Sequence, residues 1–238
     1  MKTNLIILDM GSTYADLVER IGDFSEWIYE RVPEELKTST AIVSHQDLPR
    51  YVRSHEISGI IITGSHDMVT DPDRDHALCF DTLQDLLEAR PFLPVFGICY
   101  GHQLLAHLLG GKAAPKPEGP EIGLKEISFI VSDDEIFGGY SKKEVPFYCV
   151  HYQCAEEVPP GAKVFATSEQ EEHHAFRIRN CWGVQFHPEF PKEADLYYER
   201  ANSPIDGIEK RLLQIQEEYV ENDLIARFCR FVAKPSED

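Results

Sequence analysis

PVFGICYGHQLLAHLLGG, residues 94–111, is the stretch on which the fold turns. Residues 94–98 form a short apolar run that reads as a strand buried on both faces. Residues 100–109 read as a helix closed by Gly110-Gly111. Between them stands Gly97-Ile98-Cys99-Tyr100-Gly101, with a small residue two places before and two places after the cysteine. This is the pattern of a nucleophile elbow with Cys in the nucleophile's place. The turn from strand to helix is tight, so both flanking positions must be small. The central side chain then projects above the C-terminal edge of a sheet, where open α/β folds bind their ligands. At the start of a helix the thiol meets the positive end of the dipole, which favours the thiolate. A buried cysteine in a glycine-rich turn is the bland alternative; strand, elbow and helix in succession argue against it.

Working outward, NLIILDM (4–10), TAIVS (40–44) and GIIIT (59–63) are further apolar runs of strand length. Helices are expected between them. One covers 14–31, with Leu17, Val18, Ile21, Phe24 and Ile28 at helical spacing. Another covers 75–90, with Leu78, Thr82, Leu83, Leu86 and Leu87 inward. Apolar strands alternating with helices predict a parallel sheet covered on both faces. After Pro115-Lys116-Pro117 the rhythm changes. Residues 123–131, 145–152, 163–167, 175–179 and 182–186 are successive strand-like segments, expected as antiparallel strands added to the same core. From Asp195 the pattern is helical and charged, with Ile208, Leu212, Ile215, Tyr219, Leu224, Ile225, Phe228 and Phe231 as its apolar positions. The expected architecture is therefore α/β: a mostly parallel central sheet with helices on both faces and added antiparallel strands. Residues 1–190 make one domain, and 191–238 a helical extension packed on it. A homodimer face is the alternative use of the helices over 200–231.

A chain of 238 residues can bury a sizeable core without staples. Its 23 Lys+Arg against 41 Asp+Glu give −18, a surface that repels phosphate backbones and anionic lipid. No nucleic-acid partner and no membrane is expected. Six cysteines without a CxxC pair read as reduced thiols. The start, MKTNLIILDMGS, lacks a signal-peptide core, which points to the cytoplasm. His45, His55, His66, His76 and the His173-His174 pair show no metal-ligand spacing and are expected at the surface. Asp9-Met10-Gly11-Ser12 lacks GxGxxG. The reading assigns no metal and no cofactor.

A thiolate nucleophile needs a base, and the base an orienting group. WGVQFHPEF (182–190) supplies both: His187 at a strand end and Glu189 two residues on, on the same side of an extended segment. Pro188 removes an N–H and ends the strand. Donors for a developing oxyanion are expected from the Tyr100 backbone N–H, directly after the nucleophile, and from Gly64 in the turn Thr63-Gly64-Ser65. An ordinary strand-ending glycine is the alternative for Gly64.

Together, G-I-C-Y-G-H-Q-L, I-I-T-G-S and G-V-Q-F-H-P-E-F resemble a class I glutamine amidotransferase of the Cys-His-Glu type, over about residues 5 to 190. The likeness is to the glutaminase domain of GMP synthase and its stand-alone relatives. It implies a flavodoxin-like fold and attack of Cys99 on the side-chain amide of glutamine, giving a γ-glutamyl thioester and ammonia. His187 would move the protons, Glu189 would orient it, and Gly64 and Tyr100 would hold the oxyanion. Gln103 and the segment Val150-His151-Tyr152 would contact substrate, with Ser65 beside them. Two positions depart from the synthase pattern: Gly64-Ser65-His66 replaces Gly-Gly-Pro, and Val150-His151-Tyr152-Gln153 replaces Ser-His-Gly-Asp. Both line the glutamine end of the pocket, so a γ-glutamyl peptide or amine stands as the alternative substrate. With no Gly-rich ATP loop in the chain, an ammonia acceptor is expected on a separate synthase subunit, if there is one.

Overall fold

The computed structural model describes residues 4–130 and 133–234. The extreme ends of the expected domain and extension, and residue 131 of the expected 123–131 strand, lie outside them. The chain runs β1 (Leu5–Asp9), α1 (Ala15–Ile21), α2 (Phe24–Glu30), α3 (Glu34–Lys37), β2 (Thr40–Ser44), α4 (Leu48–Tyr51) and β3 (Gly59–Ile62). It continues α5 (Arg74–Ala89), β4 (Val95–Ile98), α6 (Tyr100–Leu108), β5 (Lys112–Pro115), β6 (Glu121–Phe129), β7 (Glu144–His151) and β8 (Gln153–Glu157). Then come β9 (Lys163–Thr167), β10 (Ala175–Ile178), β11 (Cys181–Val184), α7 (Lys192–Asn202), α8 (Ile208–Glu218) and α9 (Leu224–Ala233).

The main sheet has the order β2-β1-β3-β4-β11-β10-β9-β6-β7. β2, β1, β3, β4 and β11 run parallel, and β10, β9, β6 and β7 continue the sheet antiparallel. β11 thus corrects the expectation that every late strand is antiparallel. Its run, Cys181–Val184, is buried throughout, and such a strand needs partners on both edges and cover on both faces. Beside β4 it finds them. β5 and β8, which the sequence reading passed over, pair as a separate antiparallel ribbon.

The strands sort their side chains by alternation. Leu5 and Ile7 of β1 face one core cluster with Ile28 of α2 and Phe228 of α9; Ile6 and Leu8 face another with Leu83 of α5 and Leu105 of α6. The helix expected over 14–31 is two. Gly22, at φ +89°, stops α1, and Asp23 opens α2 with a capping box: its carboxylate accepts the Glu26 backbone N–H, and Glu26 Oε2 accepts the Asp23 N–H at 2.9 Å. Leu78, expected inward on α5, is exposed, and His76, Cys79, Phe80, Leu83 and Leu87 form the buried face instead. α6 ends in a Schellman-type turn, Gly111 N–H donating to Ala106 O at 2.8 Å, with Gly110 at φ +91°.

The tail is not a loose appendage. Leu224, Ile225, Phe228 and Cys229 of α9 are buried, and the Phe228 ring lies 5.5 Å from Phe96 and 6.0 Å from Trp182. That face is spent on the core and is not left for a dimer. Phe228→Ala should therefore cost about 3–5 kcal/mol in chemical denaturation. A loss under about 1 kcal/mol would mean that α9 is not part of the cooperative unit.

Candidate active site

Cys99 joins β4 to α6 with φ +50° and ψ −98°, a conformation that an L-residue holds only under constraint from its surroundings. The constraint is visible in the glycines. A Cβ on Gly97 would stand 2.3 Å from Gly101 O, and one on Gly101 2.6 Å from Ile62 O. Helix α6 therefore starts in direct backbone contact with β4 and β3, and the elbow has no room for larger neighbours. Cys99 N–H donates to Val184 O at 2.8 Å, and Cys99 O accepts from Gln103 N–H at 3.1 Å, so the elbow is held by strand and helix alike.

The parallel register carries His187 to the sulfur. Gly183 pairs with Gly97 and Val184 with Ile98, so the chain leaving β11 passes beside Cys99 within a few residues. His187 N–H donates to Tyr148 O at 3.0 Å. Its ring packs on Phe190 at 4.0 Å between centroids and on Phe24 at 6.3 Å. His187 Nδ1 donates to Glu189 Oε1 at 2.8 Å, and both residues are buried. Arg31 clamps the segment from behind, donating to Glu189 O at 3.0 Å and Phe190 O at 2.9 Å. A Cβ on Gly64 would meet His187 Cε1 at 3.3 Å and Cys99 Cβ at 4.0 Å, which puts Gly64 beside the elbow cysteine and the imidazole together.

Burial by itself pushes the His187 imidazolium down. The Glu189 carboxylate and then the Cys99 sulfur outweigh it, and its pKa rises to about 10. Asp195 of α7 is also buried nearby. Burial foremost pushes its carboxyl well above the usual range.

In front of the sulfur lies a cavity of about 170 Å³. Cys99, Tyr100, His187, Ser65, Gln103, Val150, His151 and Tyr152, all singled out in the sequence, line it. So do His66 and Gln153, from the two departures noted above, and Tyr14, Phe24, Asp67, Met68, Tyr198 and Asn202, which were not marked as site residues. His66 Nε2 and the Tyr198 hydroxyl are 2.8 Å apart, and the Tyr14 hydroxyl donates to Asn202 Oδ1 at 3.1 Å. His66 was marked as a departure at the pocket, whereas no sequence signal pointed to Tyr14, Tyr198 or Asn202. Two expected substrate contacts have their side chains engaged elsewhere. Gln103 Nε2 donates to Gln153 O at 2.8 Å and Gln185 Oε1 at 3.1 Å. Both ring nitrogens of His151 are likewise taken, by Gln153 O and Glu121 Oε2, each at 2.8 Å.

The histidines expected at the surface divide. His76 and His174 are buried, His76 because its Nε2 bonds Met10 O at 3.1 Å from the inward face of α5. Donor atoms of Glu121, Cys149 and His174 lie within 4.8 Å of one another. Hydrogen bonds already occupy Glu121 and His174, so the set needs no ion to explain it.

The raised His187 pKa has a consequence for stability. The native state binds this proton more tightly than an unfolded chain, whose histidine titrates near 6.5. The stabilisation is complete below that value and is lost as pH climbs through about 10. Denaturant titrations across this window should show a decline in wild type that is clearly smaller in Glu189→Gln. Equal declines would refute the assignment.

The model of the family "Glutamine amidotransferase class-I" matches residues 17–198, more than half of the chain. GMP synthase [glutamine-hydrolyzing] of Porphyromonas gingivalis (strain ATCC BAA-308 / W83) is 34% identical over 191 residues, 79% of this chain and 33% of that protein. The synthase of Thermomicrobium roseum is 33% identical over 189 residues, 78% of this chain and 31% of that one. The chain thus spans about a third of the curated relatives it matches. Among solved structures, a glutamine amidotransferase from Thermotoga maritima superposes with TM-score 0.71 at 16% identity, covering 99% of this chain and 100% of that one. A glutamine amido transferase from Methylobacillus flagellatus gives TM-score 0.64 at 19% identity, covering 97% and 95%. A nucleophile elbow with a histidine and a carboxylate brought to it on the neighbouring parallel strand is thus set in a fold shared with those structures, and the chain belongs to the class-I glutamine amidotransferase family of enzymes.

Proposed function

We propose that this protein hydrolyses the γ-amide of glutamine through Cys99. The observation that carries the reading is the pairing of an elbow cysteine with an imidazole that Glu189 and the sulfur together keep protonated. Cys99 Sγ adds to the amide carbon, and the developing oxyanion is received by the backbone N–H groups of Gly64 and Tyr100. The tetrahedral intermediate collapses, the C–N bond breaks, and His187 gives its proton to the leaving ammonia. What remains is a γ-glutamyl thioester. Water, deprotonated by His187, attacks its carbonyl, and the C–S bond breaks to release glutamate. Glu189 keeps the imidazole in one orientation through both halves.

The ammonia passes to a synthase polypeptide that carries the acceptor site, a reading supported by similarity to one third of the glutamine-hydrolysing GMP synthases. Action in the cytoplasm fits the six free cysteines and the lack, among the described residues, of a helix long and apolar enough to cross a membrane.

A second reading keeps the same residues and changes the leaving group to the amine of a γ-glutamyl peptide or γ-glutamyl amine. The wall built by Tyr14, His66, Tyr198 and Asn202 favours it. Tyr14 packs 4.9 Å from His66 and 5.3 Å from Tyr198, an aromatic surface for which an ammonia leaving group has no use. Among the described residues no Lys or Arg lines the cavity and Asp67 is its one carboxylate, which suits an amine.

Pure protein given glutamine should release glutamate and ammonia in equal amounts. Cys99→Ala should show no turnover, and Glu189→Gln should lose about 10²- to 10⁴-fold in kcat while remaining folded. A wild type inert toward glutamine and γ-glutamyl dipeptides, alone and with candidate synthase partners, would sink the proposal. The ratio of kcat/KM for the two substrate classes decides between the readings.

A further inference from the structure

We infer that Glu121 is a positioning residue for the substrate cavity: it holds His151 as a buried imidazolium and so locks the wall over residues 150–153 against Cys99. The inference rests on the proposed γ-glutamyl chemistry and adds to it a device that the motifs do not contain.

Glu121 opens β6 and stands directly across from His151 at the end of β7. Both side chains are 1% exposed. Glu121 Oε2 accepts from His151 Nε2 at 2.8 Å and lies 3.2 Å from His174 Nε2; Oε1 accepts from Ser168 Oγ at 3.1 Å. On its other side His151 Nδ1 meets Gln153 O at 2.8 Å. A carbonyl can only accept, so Nδ1 carries a proton. A carboxylate that takes hydrogen bonds from three side chains also only accepts, so Nε2 carries one as well. A ring with both nitrogens protonated is a cation. The ionisation of Glu121 agrees with this: burial opposes it most strongly, yet the bonds from His151 and His174 outweigh burial and hold the carboxyl far below its usual range. His174, pushed down foremost by burial, serves as the neutral second donor.

The pair fixes a short piece of backbone that the cavity depends on. Gln153 O takes the His151 proton and also Gln103 Nε2–H at 2.8 Å, which joins the wall to the helix behind the nucleophile. Tyr152 O accepts from Lys116 N–H at 3.0 Å. Val150 O faces the Cys99 sulfur at 3.8 Å. Without the carboxylate, His151 has no reason to hold its second proton, and the backbone ladder from β6 is left without the side-chain tie that fixes this end of β7. The wall touches bound substrate in the ground state and the transition state alike, so its loosening should act on binding more than on the chemical step.

The test uses the full chain. Nitrogen-15 NMR of histidine-labelled wild type should show both ring nitrogens of His151 protonated, as their two acceptors require. In Glu121→Gln the same ring should become a neutral single tautomer. Kinetically, Glu121→Gln should raise KM for the γ-glutamyl substrate about tenfold with kcat within about twofold. Ser168→Ala, which removes another Glu121 bond but no charge, should leave KM within about twofold. The inference is overturned if wild-type His151 shows a bare nitrogen, if kcat falls while KM holds, or if the two variants behave alike. Should Glu121→Gln fail to fold, the wild-type spectrum decides the ion pair, and His151→Gln, expected to raise KM alone, decides the effect on the wall. A wild type without γ-glutamyl turnover would refute the proposed function instead, and the His151 spectrum would still read out the ion pair.

Discussion

The parallel pairing of β4 with β11 is the constraint from which the site follows. Val95–Ile98 ends in the elbow, Cys181–Val184 leads into His187, and their register sets Val184 against Ile98. Nearly ninety residues separate cysteine from histidine in the chain, yet two adjacent strands running in the same direction deliver them to the same edge. The approach is close because the neighbouring residues are small. Gly183 lies opposite Gly97, and a Cβ on Gly183 would stand 2.6 Å from His102 Nδ1. Glycines on both strands let α6 sit directly on the sheet and point its N-terminus at the sulfur.

Two histidine–carboxylate pairs flank the cavity and behave differently for a physical reason. In the first, His187 has one nitrogen on Glu189 while its Nε2 has no hydrogen-bond partner among the described residues, which leaves that nitrogen open for the proposed proton transfers. In the second, His151 has acceptors on both nitrogens, and neither proton has anywhere to go. The same residue types thus suit the proposed proton carrier in one place and the proposed fixed strut in the other. Burial makes both pairs costly to break, because removing one partner leaves an uncompensated group out of water.

Much of this was readable along the chain. Apolar runs bounded by glycine located β1, β2, β3 and β4, since a strand buried on both faces has no polar side to show. The elbow and the His-Pro-Glu segment were legible because their chemistry depends on close neighbours: glycines two residues either side of Cys99, and a carboxylate two residues from His187. The direction of β11 was not legible, since a four-residue apolar run looks the same whichever way it pairs. The break at Gly22-Asp23 was hidden because Leu17 and Phe24 keep helical spacing across it, although the capping residues were there to read. Glu121 carried no signal at all. It follows Gly119-Pro120 in what reads as a turn, and its partners lie 30 and 53 positions away.

The sequence by itself determined the α/β class and marked the candidate nucleophile, base and orienting carboxylate, because each is flagged by residues within a few positions of it. Only the tertiary structure decided what surrounds them: the placing of α9 in the core, the aromatic wall from Tyr14, His66 and Tyr198, and the inward turn of the His151 ring. These depend on pairings between distant segments. Such pairings are chosen by the shared need to bury apolar surface and to satisfy buried polar groups, and no local spacing records that choice.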